Sequence, residues 1–99
     1  MLVHSVFFWL RADLNESERE AFLKGVESLA KIESATAVYV GTPATTEKRP
    51  VVDSSYDVAL TVMLDTIAAH DAYQEDPIHT AFLGQFSTYW ERVQIYDAD

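Results

Sequence analysis

An α+β fold of the ferredoxin-like type, a four-stranded antiparallel sheet with helices on one face, is predicted for this chain by three observations. Its strand-like and helix-like segments follow one another in the order βαββαβ, the split-βαβ arrangement. The strand segments 2–10 and 56–64 carry apolar side chains at both parities, so both faces of the sheet have to be covered. The chain has 99 residues, 48% hydrophobic and 12% aromatic, enough for one packed core and hence one domain over 1–99.

The opening segment is rich in β-branched and aromatic types, with Val6, Phe8 and Leu10 on one side and Val3, Phe7 and Trp9 on the other. Asn15 is placed to cap a helix over 16–31. Glu16 and Glu18 then fall in its first turn, where the helix dipole favours negative charge. Phe22, Val26, Leu29 and Ala30 recur at helical spacing, while Glu18, Lys24, Glu27 and Lys31 are left for solvent. A short strand over 36–40 ends at Gly41 and Pro43, and the longest loop runs from there to Ser55. The third strand, 56–64, is expected at the centre of the sheet. Its more apolar parity, Tyr56, Val58, Leu60 and Val62, is assigned to the face without helices, and Asp57, Ala59, Thr61 and Met63 to the side beneath them. Asp65 is expected to cap a helix over 66–73, which Pro77 breaks ahead of a second helical segment over 78–89. The last strand covers 92–96.

A sheet with helices on one side only leaves an apolar face that so small a domain cannot cover by itself. A second copy of the chain is the simplest cover, which predicts a two-fold homodimer through the helix-free face. The formal charge of −9, from 16 acidic and 7 basic residues, works against nucleic acid and anionic membrane as partners. There is no Cys, so a disulfide framework or a thiolate site is not available. The apolar N-terminus lacks the basic start and cleavage pattern of a signal peptide and is too short to span a bilayer, so a cytoplasmic protein is expected. His4, His70 and His79 form no HxH, HxxxH or HExxH spacing, and no metal and no cofactor are expected.

Three stretches carry a resemblance: His4-Ser5-Val6-Phe7-Phe8-Trp9-Leu10, Ser55-Tyr56-Asp57-Val58-Ala59-Leu60, and Ala72-Tyr73-Gln74-Glu75-Asp76-Pro77-Ile78-His79. Together with Trp90, Ile95 and Asp97 near the end, they make the chain similar over essentially its whole length to the Dabb family of stress-responsive dimeric α/β-barrel domains. The resemblance implies a ferredoxin-like subunit in a dimer whose sheets form a barrel. The best-understood activity in that family is a plant polyketide cyclase's cofactor-free aldol condensation, in which a His and a Tyr act in a pocket between sheet and helices. By resemblance those two fall on His79 and Tyr73, and a His of the N-terminal strand falls on His4. Two positions depart from the cyclase, whose second pocket His falls on Asp57 and whose first-helix Tyr falls on Val26.

His79 has the chemistry of a general base, with Asp57 or Asp97 as the carboxylate that would fix its tautomer. A His at this position also serves to buttress the helix break by bonding a carbonyl freed near Pro77. Tyr73 is suited to hydrogen-bonding a substrate carbonyl and steadying a developing enolate, or to packing in the core with its hydroxyl at the rim. His4, Val6, Phe8, Phe22, Val26, Phe82, Phe86, Trp90 and Asp97 are expected to bind the ligand, although aromatics at helical spacing read equally as core. The expected function is a homodimeric binder of an apolar or carbonyl-containing small molecule, with cofactor-free acid–base chemistry such as cyclisation or isomerisation. The alternatives are a stress-linked binding or interaction module without turnover, and a cofactor-free monooxygenase of the related dimeric α+β-barrel group.

Overall fold

The computed structural model describes residues 1–99. Strand β1 (Leu2–Leu10) leads into helix α1 (Glu16–Glu27) and a 3-10 turn (Ser28–Lys31). Strands β2 (Ala37–Gly41) and β3 (Val58–Leu64), helices α2 (Ile67–Glu75) and α3 (Pro77–Phe86), and strand β4 (Trp90–Ala98) follow. The four strands form one antiparallel sheet in the order β2-β3-β1-β4, the ferredoxin-like topology expected from the element order.

Each helix begins where its sequence offers an acceptor for a free N–H. The Asn15 side chain accepts from the Glu18 amide and the Glu18 side chain accepts from the Asn15 amide, so a capping box starts α1. The regular helix stops at Glu27, earlier than the apolar spacing suggested, and continues as the 3-10 turn. Thr66, not Asp65, caps α2, accepting from the Ala69 amide. Asp65 instead accepts from the Thr36 hydroxyl and ties the end of β3 to the approach to β2. Asp76 caps α3 through the Ile78 amide, and Pro77 occupies the first helical position, where its missing N–H costs nothing. Pro77 thereby ends one helix and starts another.

The core lies between the sheet and the helices. Leu2, His4, Val6, Phe8 and Leu10 of β1 are all buried, and they pack against Phe22, Val26, Leu29, Tyr73, Phe82 and Phe86. Directly opposed residues of antiparallel strands share a face, and β1 pairs with β3 as His4 with Val62 and Val6 with Leu60. Val58, Leu60, Val62 and Leu64 therefore lie under the helices, each about nine-tenths or more buried. This reverses the face assigned to β3 from its sequence. The more apolar parity goes to the helix side because covering each Val or Leu there is worth about 1.5–3 kcal/mol. Ala59, Thr61 and Met63 occupy the other face, half-buried.

That other face is aromatic. Phe7 packs edge-on against Tyr56 at 5.1 Å and Tyr96 at 6.3 Å, and the Arg92 guanidinium stacks 4.0 Å above the Trp9 ring. Tyr96 remains 62% exposed, and no helix of the chain crosses this side of the sheet. No helix is long and apolar enough to cross a membrane.

Candidate functional site

Between the sheet and the α2–α3 pair lies a cavity of about 180 Å³. Val6, Phe8 and Leu60 form its floor, Phe82 and Trp90 line its apolar part, and His4, Tyr73, Gln74 and His79 bring polar atoms to it. It opens over the edge strand β4. There Val93 and Ile95, opposite Phe8 and Val6 and on the helix side, stay 38% and 43% exposed.

The helix break positions the two central side chains. Tyr73 lies in the last turns of α2 and His79 in the first turn of α3. Because Asp76 is extended and Pro77 restarts the helix, the two rings meet edge to face, with centroids 5.2 Å apart. The Tyr73 side chain is fully buried, yet its hydroxyl has no hydrogen-bond partner, and neither has the buried Nδ1 of His79. Leaving a buried polar group unpaired costs about 1–3 kcal/mol, so such an arrangement persists only when something else is gained.

Burial raises the pKa of the Tyr73 hydroxyl well above the ordinary tyrosine value, which keeps it a proton donor. Burial also lowers the pKa of the His79 imidazole. The neighbouring His4 and His70 rings add to that lowering, and Asp76 opposes it. Near neutral pH, His79 is thus a neutral acceptor beside a neutral donor. His4 reaches the same region from β1, its ring centroid 5.8 Å from that of Tyr73. Its Nδ1 lies 2.5 Å from the Asp97 carboxylate, a bond that the pairing of His4 with Asp97 across β1 and β4 makes possible.

Of the residues singled out in the sequence, His4, Val6, Phe8, Tyr73, His79, Phe82 and Trp90 line the cavity. Phe22 and Val26 do not, being completely enclosed core. Phe86 packs on Phe22 and Tyr89 and against Gly25 of α1, away from the cavity. Asp57 is not paired with His79. It precedes β3 at the Trp9–Leu10 end of β1, accepts from the Leu10 amide, and lies 3.6 Å from the Arg19 guanidinium. A carboxylate there satisfies a strand-end N–H, which fixes it far along the sheet from the His4–Val62 pair. Asp97 holds His4 rather than His79.

Leu29, Leu60, Gln74, Leu83, Val93 and Ile95 also line the cavity and were not anticipated. The alternate positions of β4 that contain Asp97 would have pointed to Val93 and Ile95. His70, weighed from the sequence only for metal-motif spacing and set aside, lies one turn before Tyr73 on α2 and stands edge-on to His4 with ring centroids 5.1 Å apart.

The sequence model of the stress responsive A/B barrel domain, Dabb, matches residues 2–99. Among solved structures, a Dabb family protein with a ferredoxin-like fold from Mesorhizobium loti aligns at a TM-score of 0.78 and 22% identity, covering 99% of this chain and 94% of its own. A dimeric ferredoxin-like protein of unknown function from Thermobifida fusca aligns at a TM-score of 0.78 and 19% identity, over 98% of this chain and 88% of its own. The hydroxynitrile lyase from Passiflora edulis aligns at a TM-score of 0.77 and 16% identity, over 98% of this chain and 90% of its own. No curated protein matches the sequence significantly.

Proposed function

The chain belongs to the stress responsive A/B barrel (Dabb) domain family, and from that premise we propose that it is a homodimeric small-molecule-binding protein whose cavity carries cofactor-free acid–base chemistry on a carbonyl compound. One observation carries the reading. At the polar end of an otherwise apolar cavity, a buried hydroxyl and a buried imidazole nitrogen lie on neighbouring rings with no partner in the chain. A ligand oxygen and an acidic C–H are what such a donor and acceptor lack.

In the proposed reaction His79, neutral in its buried site, takes a proton from the carbon next to a ligand carbonyl. The electron pair of the broken C–H bond moves into the C–C bond, and the carbonyl oxygen becomes an enolate oxygen. Tyr73 donates its hydroxyl hydrogen bond to that oxygen as the charge develops, with solvent displaced from the cavity by the ligand, where one such bond is worth most. The enolate carbon then attacks a second carbonyl of the same molecule, whose oxygen takes the proton back from His79, which is cyclisation; where a C=C bond is conjugated with the enolate, His79 instead returns the proton to the far carbon of the dienolate, which is isomerisation. His4, held by Asp97, packs edge-on to Tyr73 and orients it. That a hydroxynitrile lyase shares the fold supports the view that this scaffold accommodates catalysis.

The helix-free sheet face is the proposed dimer surface. Its Phe7, Trp9, Met63 and Tyr96 make an apolar and aromatic patch of the kind a second copy covers, and solved relatives of this fold are described as dimeric.

The test is exchange of solvent deuterium into the carbon next to the carbonyl, followed by NMR over a panel of enolisable ketones and β-keto acids. Wild type accelerates exchange for the accepted members, and His79→Ala slows it about 100-fold or more, the usual contribution of a positioned base. Ligand retention without accelerated exchange would assign the cavity to binding alone.

A further inference from the structure

We propose that His4, His70 and Asp97 form a site for a divalent first-row transition metal ion of the zinc class, at the His4 end of the cavity. The three residues come from β1, α2 and β4, and one ligand atom from each lies within 4.8 Å of the others. Around an ion with bonds of about 2.1 Å, tetrahedral ligand atoms stand about 3.4 Å apart, so the observed set is open by roughly 1.5 Å at its widest. His4, 3% exposed, and His70, held by Asp71, stay in place, and rotation of the Asp97 side chain, 43% exposed, closes the set by exchanging its bond to His4 Nδ1 for the ion.

The tautomer of His70 is the second observation. Its Nδ1 lies 3.1 Å from the Asp71 carboxylate, and a carboxylate only accepts, so in the neutral ring that binds metal Nδ1 carries the proton and Nε2 presents its lone pair. That Nε2 is buried without a hydrogen-bond partner and faces Asp97 at 4.0 Å. A histidine whose far nitrogen is held by a carboxylate while its near nitrogen has no partner has the orientation that protein metal sites use. Two imidazoles and one carboxylate suit zinc-class ions better than calcium or magnesium, and three protein ligands leave at least one position open. The overall charge of −9 favours any cation's approach.

The inference does not rest on the acid–base reading, because its test reads binding and not turnover. The full-length protein, stripped with a chelator, is titrated with Zn(II) by calorimetry and with Co(II) by visible absorption. One ion per chain is expected, with Co(II) bands of low-symmetry nitrogen and oxygen coordination. His70→Ala and Asp97→Asn, both at partly exposed positions and checked for folding by circular dichroism, should each weaken Zn(II) binding by at least about tenfold. Asp71→Asn should weaken it less, since Asp71 only positions His70. Binding that survives unchanged in His70→Ala and Asp97→Asn would place the ion on the acidic surface and overturn the assignment. Absence of stoichiometric binding to the wild type would do the same.

Discussion

Replacing Tyr73 by Phe removes one oxygen atom, and its effects on stability and on chemistry are expected to have opposite signs. The ring stays in a site that is fully enclosed, so packing is retained. What disappears is a hydroxyl that is buried with no partner, a burden of about 1–3 kcal/mol. The hydroxyl faces a cavity of about 180 Å³ with room for solvent, so the lower end applies. Tyr73→Phe is expected to stabilise the fold by about 1 kcal/mol, which for a chain of this length raises the melting temperature by about 4 °C. The assay is thermal unfolding at one fixed protein concentration, since the stability of the proposed dimer would depend on it. The same preparation is then tested for deuterium exchange, where loss of the enolate's hydrogen bond should slow the reaction about 100-fold. A variant that is less stable than wild type and equally active would show that the hydroxyl serves the fold, and the reasoning from its missing partner would be refuted.

The pH dependence of stability should report His79. Its folded pKa lies below the ordinary 6.5, so the unfolded chain takes up a proton near that pH that the folded chain refuses. Stability is therefore full above pH 6.5 and is lost as pH falls through the folded value. Urea midpoints measured on the acid side of neutrality should slope less in His79→Gln than in wild type, and equal slopes would contradict the burial of a neutral imidazole. Gly25→Ala ordinarily stabilises a helix by about 1 kcal/mol. Here a Cβ would stand 2.3 Å from the buried Phe86 ring, so the sign should reverse, with a loss of about 1–3 kcal/mol in chemical denaturation. Asp57→Ala should cost about 1 kcal/mol by leaving the Leu10 amide without its acceptor, and deuterium exchange by the folded variant should match wild type. A folded Asp57→Ala variant without activity would return Asp57 to the chemistry.

The fold was legible because its signals are local and periodic. The apolar, β-branched and aromatic run of 2–10, the Asn15 cap and the Pro77 break each act through neighbouring residues, and each lies where the sequence puts it. The face of β3 was not legible, since alternation gives the period of a strand but not its sign. Only pairing decides it: Val6 lies opposite Leu60, and β1 had already committed Val6 to the helices. Aromatics from β1 and β4 then supply the helix-free face, which β3 alone makes look too polar.

The candidate site divides in the same way. Tyr73 and His79 are close in sequence across a marked break, so their meeting was readable. The His4–Asp97 bond spans nearly the whole chain and depends on the register between β1 and β4, which no spacing encodes. His70 was passed over for the same reason. Its neighbours His4 and Asp97 are on other elements, so motif spacing within one element has nothing to detect. Phe22 and Phe86 show the converse limit, because helical spacing identifies an apolar stripe without saying which of its members touch a cavity.

Native mass spectrometry of protein purified gently from its own cells, with wild type and His79→Ala side by side, brings the dimer and the role of His79 into one experiment. A dimer carrying a discrete small molecule with a carbonyl group is expected, with that molecule present in the wild type and lost or strongly depleted in the variant. A dimer that arrives empty in both forms, or retains the same molecule in both, would contradict the role given to His79, and a monomer would contradict the pairing of helix-free sheet faces.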